Sequence, residues 1–152
     1  MMDDAGIYAR EFEPLGRAVE IGVASGKVVG VSFPESASAD AEYDHPLLDR
    51  IDEYLAGAAD HFDDVPVALT VPTDQRRVLE AVRKLPHGET VRRSRVANLA
   101  GLDGDDEEDL RLVGEALREN PVPLFVPDHR VEGVRGATPP AVAEALRRLE
   151  RD

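Results

Sequence analysis

Apolar residues along this chain recur with two periods, and the place where the period changes divides it. Residues 17–24 (Arg-Ala-Val-Glu-Ile-Gly-Val-Ala) and 27–33 (Lys-Val-Val-Gly-Val-Ser-Phe) are β-rich runs separated only by Ser25 and Gly26, the spacing of a tight hairpin. An earlier extended piece, residues 7–12, turns into the first of them through Pro14 and Gly16. Residues 36–42 are small and polar and read as a surface loop. Leu47, Leu48, Ile51, Tyr54 and Leu55 then recur at helical spacing, and Gly57 stops the helix. The pattern predicts a three-stranded antiparallel sheet with one helix against it, over residues 1–70.

Residues 65–71, punctuated by Pro66 and Pro72, lead into a second region, 73–152, whose apolar period is helical throughout. Thr73 is placed to cap a helix with the stripe Val78, Leu79, Val82 and Leu85, ended by Pro86, His87 and Gly88. Residues 90–100 form a second, short helix with Val96, Leu99 and Ala100 inward, closed by Gly101. Residues 109–119 form a third, with Leu110, Val113 and Leu117 on one face. Short helix, turn and longer helix together read as a helix-turn-helix. A last helix, 140–151, packs through Val142, Leu146 and Leu149. The fold class is therefore α/β of the α+β kind: a sheet-and-helix lobe followed by an all-helical domain.

Composition narrows the chemistry. The 152 residues suit one domain of ordinary size or two small lobes sharing an interface. There is no cysteine, which excludes a disulfide, a thiolate nucleophile and a zinc–thiolate site, and leaves only His and carboxylates for any metal. Residues 1–10 show neither the basic start nor the apolar run of a secretory signal, and no apolar stretch is long enough for a membrane. A soluble, cytoplasmic monomer with no membrane partner is expected.

Charge complicates that picture. Asp plus Glu number 31 against 18 Lys plus Arg, a net charge of −13, and Lys27 and Lys84 are the only lysines. Such a surface resembles those of halophilic proteins, kept soluble in brine by solvated carboxylates. It also opposes nucleic acid in dilute buffer. At about 1 M salt the Debye length shrinks to roughly 3 Å, so global repulsion is screened and counterion release drives little binding.

The candidate chemistry lies in residues 120–131, Asn-Pro-Val-Pro-Leu-Phe-Val-Pro-Asp-His-Arg-Val. This segment resembles the active site of the O6-alkylguanine-DNA alkyltransferases, whose Pro-Cys-His-Arg core carries the alkyl-accepting cysteine; here that place holds Asp128. The resemblance extends through two more motifs in the same order. Residues 85–91 (Leu-Pro-His-Gly-Glu-Thr-Val) are similar to the family's Ile-Pro-Tyr-Gly-Glu-Thr-Val, and residues 111–117 (Arg-Leu-Val-Gly-Glu-Ala-Leu) to the Arg-Ala-Val-Gly-Gln-Ala-Leu of its recognition helix. The N-terminal region, with His45, Pro46, Leu47 and Leu48, looks more loosely like the family's ribonuclease-H-like lobe. The resemblance implies that residues 73–152 are a winged-helix or helix-turn-helix-like domain that binds double-stranded DNA.

In the family an arginine fills the stack left by an extruded guanine, which swings into a pocket beside the cysteine. Extrusion costs a few kcal/mol of stacking, so a filler side chain and close groove contact are required. Arg111 matches the filler, and Gly114, one turn on, matches the residue that permits close approach. Arg93, Asn120 and Arg130 complete the expected DNA-binding set. His129 matches the base that activates the cysteine and Glu150 its orienting carboxylate, the usual order of nucleophile, base and orienter. Asp128 breaks this order. A carboxylate is a poor nucleophile toward an alkyl group and its ester is labile, so self-alkylation is expected to be lost and no catalytic residue, metal or cofactor is expected. A hydrogen-bonded or His-paired carboxylate at a helix start is the plainer role for Asp128.

Three further departures touch DNA rather than chemistry. Arg93, flanked by Arg92 and Arg95, stands where the family has a tyrosine that rotates the nucleotide. Residues 103–109 are acidic except for Gly104, which suits a helix N-terminus but lies near the phosphates. Residues 131–140 are shorter than the family's loop over the alkyl group. The expected function is that of an alkyltransferase-like protein, which binds O6-alkylguanine-type damage without removing it and flags it for other repair proteins. The alternatives are a degenerate homologue serving protein interaction without DNA, or an enzyme using Asp128, His129 and Glu150.

Overall fold

The computed structural model describes residues 5–151 and contains both predicted halves. Strands β1 (Gly6–Phe12), β2 (Arg17–Ala24) and β3 (Lys27–Ser32) form one antiparallel sheet in the order β1-β2-β3. Ser25 and Gly26 both have positive φ, 53° and 76°, which is what a two-residue hairpin matched to strand twist requires. A register shift between Gly22 and Val23 pairs Gly22 with Gly30 and Val23 with Val28. The skipped residue, Val29, is turned out to 38% exposure. Both sheet edges are covered, by a bridge from Tyr8 to Glu42 and another from Val28 to Val67.

Helix α1 (Pro46–Leu55) lies against the sheet and buries the five residues of its sequence stripe, Leu47, Leu48, Ile51, Tyr54 and Leu55. His45 caps it, Nδ1 accepting from the Leu47 amide at 3.0 Å, and Pro46 occupies the first turn, where a missing amide costs nothing. Helix α2 (Thr73–Arg83) corrects an expectation. Thr73 is its first residue rather than its cap; Pro72, extended at ψ 152°, takes the cap position without a side-chain bond.

The second predicted helix is also shorter than expected, and the C-terminal region is not all-helical. Val91–Arg92 form a strand, β4, parallel to β5 (Val131–Glu132). Helix α3 runs only over Arg93–Leu99, because Arg92 is extended at ψ 156°. On so short a helix Val96 and Ala97 reach the core, while Leu99, expected inward, is 51% exposed. Helix α4 (Glu107–Arg118) starts two residues before the predicted 109, since Asp106 caps it by accepting from the Asp109 amide at 3.1 Å. Helix α5 (Pro140–Arg151) has the predicted bounds.

One core joins the halves. Phe62 packs edge-on against Tyr54 at 5.4 Å and against Phe125 at 5.3 Å, and the Val31 amide donates to the Pro121 carbonyl at 2.9 Å. Burying each such ring contributes about 1.5–3 kcal/mol. The sheet and α1 thereby hold the segment 121–130 from behind. Among the described residues no helix is long and apolar enough to cross a membrane.

Candidate functional site

Two groups of residues come together on this frame, one buried and one exposed. The buried group is built on a single turn of 3-10 helix, Asp128–Arg130, between Pro127 and β5. Its centre is Glu150 at the end of α5. His129 Nε2 lies 2.8 Å from Glu150 Oε2; Arg130 donates Nε to Oε1 at 2.9 Å and Nη2 to Oε2 at 2.8 Å. Tyr54 from α1 donates its hydroxyl to Oε2, and the Gly88 amide reaches Oε1 at 3.3 Å. Arg130 Nη1 closes the arrangement on the Leu85 carbonyl at 2.8 Å.

The electrostatics follow from that donor set. Burial alone would raise the Glu150 carboxyl, but the hydrogen bonds from His129 and Arg130 outweigh it and hold the group well below the usual glutamate range. Burial, reinforced by the Glu150 charge, drives the Tyr54 phenol far upward, so it remains a neutral donor. A buried carboxylate with this many donors is well compensated. Without them it would cost several kcal/mol.

Asp128 belongs to a different network, although it precedes His129 in the chain. Its Oδ2 accepts from Asn120 Nδ2 at 3.0 Å, from the Ala137 amide at 3.1 Å and from the Thr138 amide at 3.4 Å. Burial pushes its carboxyl up, and hydrogen bonds from Thr138 and Asn120 only partly offset this. No salt bridge joins Asp128 to His129 among the described residues, and the buried His129 Nδ1 has no hydrogen-bond partner. Of the two roles read for Asp128, the structure has the hydrogen-bonded carboxylate. The Asp128, His129 and Glu150 trio therefore shares no single hydrogen-bond chain.

Two expected DNA-binding residues also prove to be interior. Asn120 is 4% exposed; its Nδ2 is shared between Asp128 and the Val126 carbonyl, and its Oδ1 accepts from the Val122 amide at 3.0 Å. Arg130 is 3% exposed, with its guanidinium held by Glu150 and Leu85. Both side chains are buried and engaged in shaping the 120–130 segment rather than lying on the surface. Sequence motifs name such residues without saying which way they point.

The exposed group lies on α3 and α4. Arg93, Arg111, Gly114 and Arg118 line one groove of about 330 Å³, with Leu110 at its side and Glu107 at its end. A second hollow of about 440 Å³ shares Arg93 and Leu110 and is bounded by Arg92, Ser94, Glu132 and Gly133. Arg93, Arg95, Arg111 and Arg118 are exposed and make no ion pair among the described residues, as is also true of Arg76, Arg135 and Arg151; what sets the group apart is that Arg93, Arg111 and Arg118 line one groove. The sequence motifs do not single out Arg118. Its position seven residues after Arg111, two turns along one face, is the signal that marks it.

Half of the acidic run, three of its six acids, is engaged in local structure. Asp106 caps α4, Asp109 Oδ2 accepts from the Asp103 amide at 2.9 Å, and Asp103 Oδ1 accepts from the Asp105 amide at 2.9 Å. From residues 103–109 it is Glu107 that lines the arginine groove.

Residues 73–151, which hold both groups apart from Tyr54, match the sequence model of the 6-O-methylguanine DNA methyltransferase DNA-binding domain. The chain belongs to the O6-methylguanine DNA methyltransferase family. It is 31% identical over 134 residues to the methylated-DNA–protein-cysteine methyltransferase of Metallosphaera sedula, across 86% of this chain and 80% of that protein. With the Shigella flexneri enzyme of the same name it shares 34% over 104 residues, and the match spans 68% of this chain and 58% of that relative. Mycobacterium tuberculosis OGT, solved in complex with DNA, superposes with a TM-score of 0.76 at 26% identity, covering 95% of this chain and 92% of that one. A single-residue variant of the M. tuberculosis O6-methylguanine methyltransferase superposes with a TM-score of 0.78 at 23% identity, over 98% of this chain and 94% of that one, which shows the shared fold. This family member has Asp128 and no cysteine in its 152 residues.

Proposed function

We propose that this chain binds duplex DNA carrying O6-alkylguanine-type damage, holds it without transferring the alkyl group, and marks it for other repair proteins. The observation that carries the reading is the gathering of unpaired arginines around one groove of α3 and α4. Other exposed arginines, Arg76, Arg135 and Arg151, are unpaired as well, but on α3 and α4 Arg93, Arg111 and Arg118 gather around one groove in a chain whose net charge is −13, with Arg95 nearby on α3. Exposed arginines beside a helix suit phosphate contacts and insertion into a groove. Arg111 would fill the stack and Gly114 would let α4 approach.

The absence of transfer rests on chemistry. Alkyl transfer from guanine O6 needs a nucleophile whose product is stable; a thiolate gives a thioether, a carboxylate a hydrolysable ester. Asp128 is further disarmed because its Oδ2 already accepts three N–H groups.

Binding to duplexes with and without O6-methylguanine, measured in concentrated potassium chloride, tests the reading. Tighter binding of the modified duplex, with no methyl added to the protein's mass, is the expected result. Equal affinity for both duplexes would sink lesion recognition, and loss of all DNA binding would favour the protein-interaction alternative. A stable added methyl would overturn the claim of lost transfer.

A further inference from the structure

Residues 133–138 do more than shorten a loop. After β5 the chain passes Gly133, at φ 77°, and folds back so that Gly136 sits directly on Asp128. A Cβ on Gly136 would stand 2.6 Å from Asp128 Cγ, 2.8 Å from its Cβ and 3.0 Å from its Oδ1. Asp128 is short and buried, so it has no flexible end with which to give way. The same carboxylate accepts from the next two backbone amides, Ala137 and Thr138, while its third donor, Asn120, follows the end of α4. Ala137 shares that amide with the Leu117 carbonyl at 2.9 Å, so the loop is also tied directly to the end of α4 at this one point. Asp128 is left 2% exposed, with a cleft of about 210 Å³ beside it toward Arg135, Pro140 and Arg147.

We propose that Asp128 is a specificity-determining latch: its carboxylate fastens residues 136–138 across the acceptor position, so an extruded base reaches that position only when the loop opens. This deepens the lesion-binding reading and rests on it for the identity of the visitor. The sulfur of a cysteine is a weak acceptor and could not hold two backbone amides and an amide side chain in this way. The substitution thus removes the nucleophile and closes the cavity by the same group. Gly136 is the second half of the latch, because any side chain there would meet Asp128.

Hydrogen exchange at the Ala137 and Thr138 amides of the free protein reads the latch without DNA. Both amides are expected to be protected in the parent and in Asp128→Asn, which keeps an acceptor oxygen. Thr138, whose amide has no second acceptor, should exchange at least tenfold faster in Asp128→Ala, whereas Ala137, which also donates to Leu117, should change less and the middle of α5 not at all. Gly136→Ala opens the loop from the opposite side and serves if Asp128→Ala folds poorly. Parent-like exchange in both alanine variants would overturn the latch, as would an asparagine variant that behaves like alanine. On an O6-methylguanine duplex, Asp128→Ala is expected to bind at least fivefold more tightly than the parent, with unmodified duplex unchanged. Equal affinity of parent and variant for the modified duplex, with the loop shown to be open, would refute the gating role. Failure of every variant to bind DNA would sink the lesion-binding reading and leave the exchange result to decide the latch.

Discussion

The buried centre around Glu150 and the arginine face on α3 and α4 carry family motifs of similar clarity, yet the two regions hold them for different reasons. In the interior, His129, Arg130, Glu150 and Tyr54 tie α5 to α1 and to the turn before β4, so losing any one strands a buried partner. On the face, Arg93, Arg95, Arg111 and Arg118 touch no acid and stabilise nothing visible in the fold. The interior motif therefore reports on architecture whatever chemistry it serves. Unpaired surface charge, which folding does not require, is the better witness to binding.

The sharpest way to test that contrast is at Glu150. Glu150→Ala leaves Arg130 and His129 buried without their acceptor and is expected to cost about 3–5 kcal/mol in denaturant unfolding. The folded Glu150 carboxyl lies below its unfolded value, so its contribution is complete above that value, about pH 4.3, and drains away as pH falls beneath it. An acid unfolding midpoint that does not move in Glu150→Gln would break this half of the comparison.

Next in size is Arg111→Ala, expected to weaken binding to O6-methylguanine duplex about tenfold, or roughly 1.4 kcal/mol, while the melting temperature stays within about a degree of the parent. Arg93→Ala or Arg118→Ala should instead lower the salt slope of binding by about 0.9 each, the mark of a phosphate contact. A fall in thermal stability matching the fall in affinity would show that the face is structural after all.

Asp128→Asn gives a smaller effect of opposite sign to that at Glu150. Because burial raises the Asp128 carboxyl, the ionised form weighs against the fold at neutral pH, and the amide should raise the melting temperature at pH 7. That gain should shrink as pH falls through the raised folded value toward the ordinary aspartate range near about pH 3.9, where the parent carboxyl is protonated too. A gain that is independent of pH would contradict the assignment. Smallest of all, Gly114→Ala meets only the far end of the Arg118 side chain at 3.3 Å, so helix propensity should leave the fold unchanged or up to about 1 kcal/mol more stable. Weaker DNA binding in that variant would separate groove approach from stability.

Much of this was legible in the chain. The hairpin at Ser25 and Gly26, the α1 stripe and the bounds of α5 follow from local pattern, because each depends on residues within a turn or two. Strand β4 was not legible, since two residues become a strand only through a partner forty positions away, and helical spacing on one side drew the boundary too early. The pairing of His129 with Glu150 came from the family resemblance, and Tyr54, which completes it, read only as core because its hydroxyl's partner lies in the other half. That Asn120 and Arg130 are buried was not legible for a related reason: a motif preserves identity, whereas direction is set by what packs behind it.

The bond between Tyr54 and Glu150 spans 96 positions, and the one from Arg130 to Leu85 spans 45. Contacts of such separation must wait for large loops to close, which slows folding relative to a bundle of local contacts. Without α5, Tyr54, His129 and Arg130 would lack their shared acceptor. Phe62 against Phe125 and Val31 on Pro121 already join the halves, and the Glu150 bonds add a polar tie of longer reach. A polar cluster that the sequence motif marks for chemistry is thus also a long-range stitch of the fold.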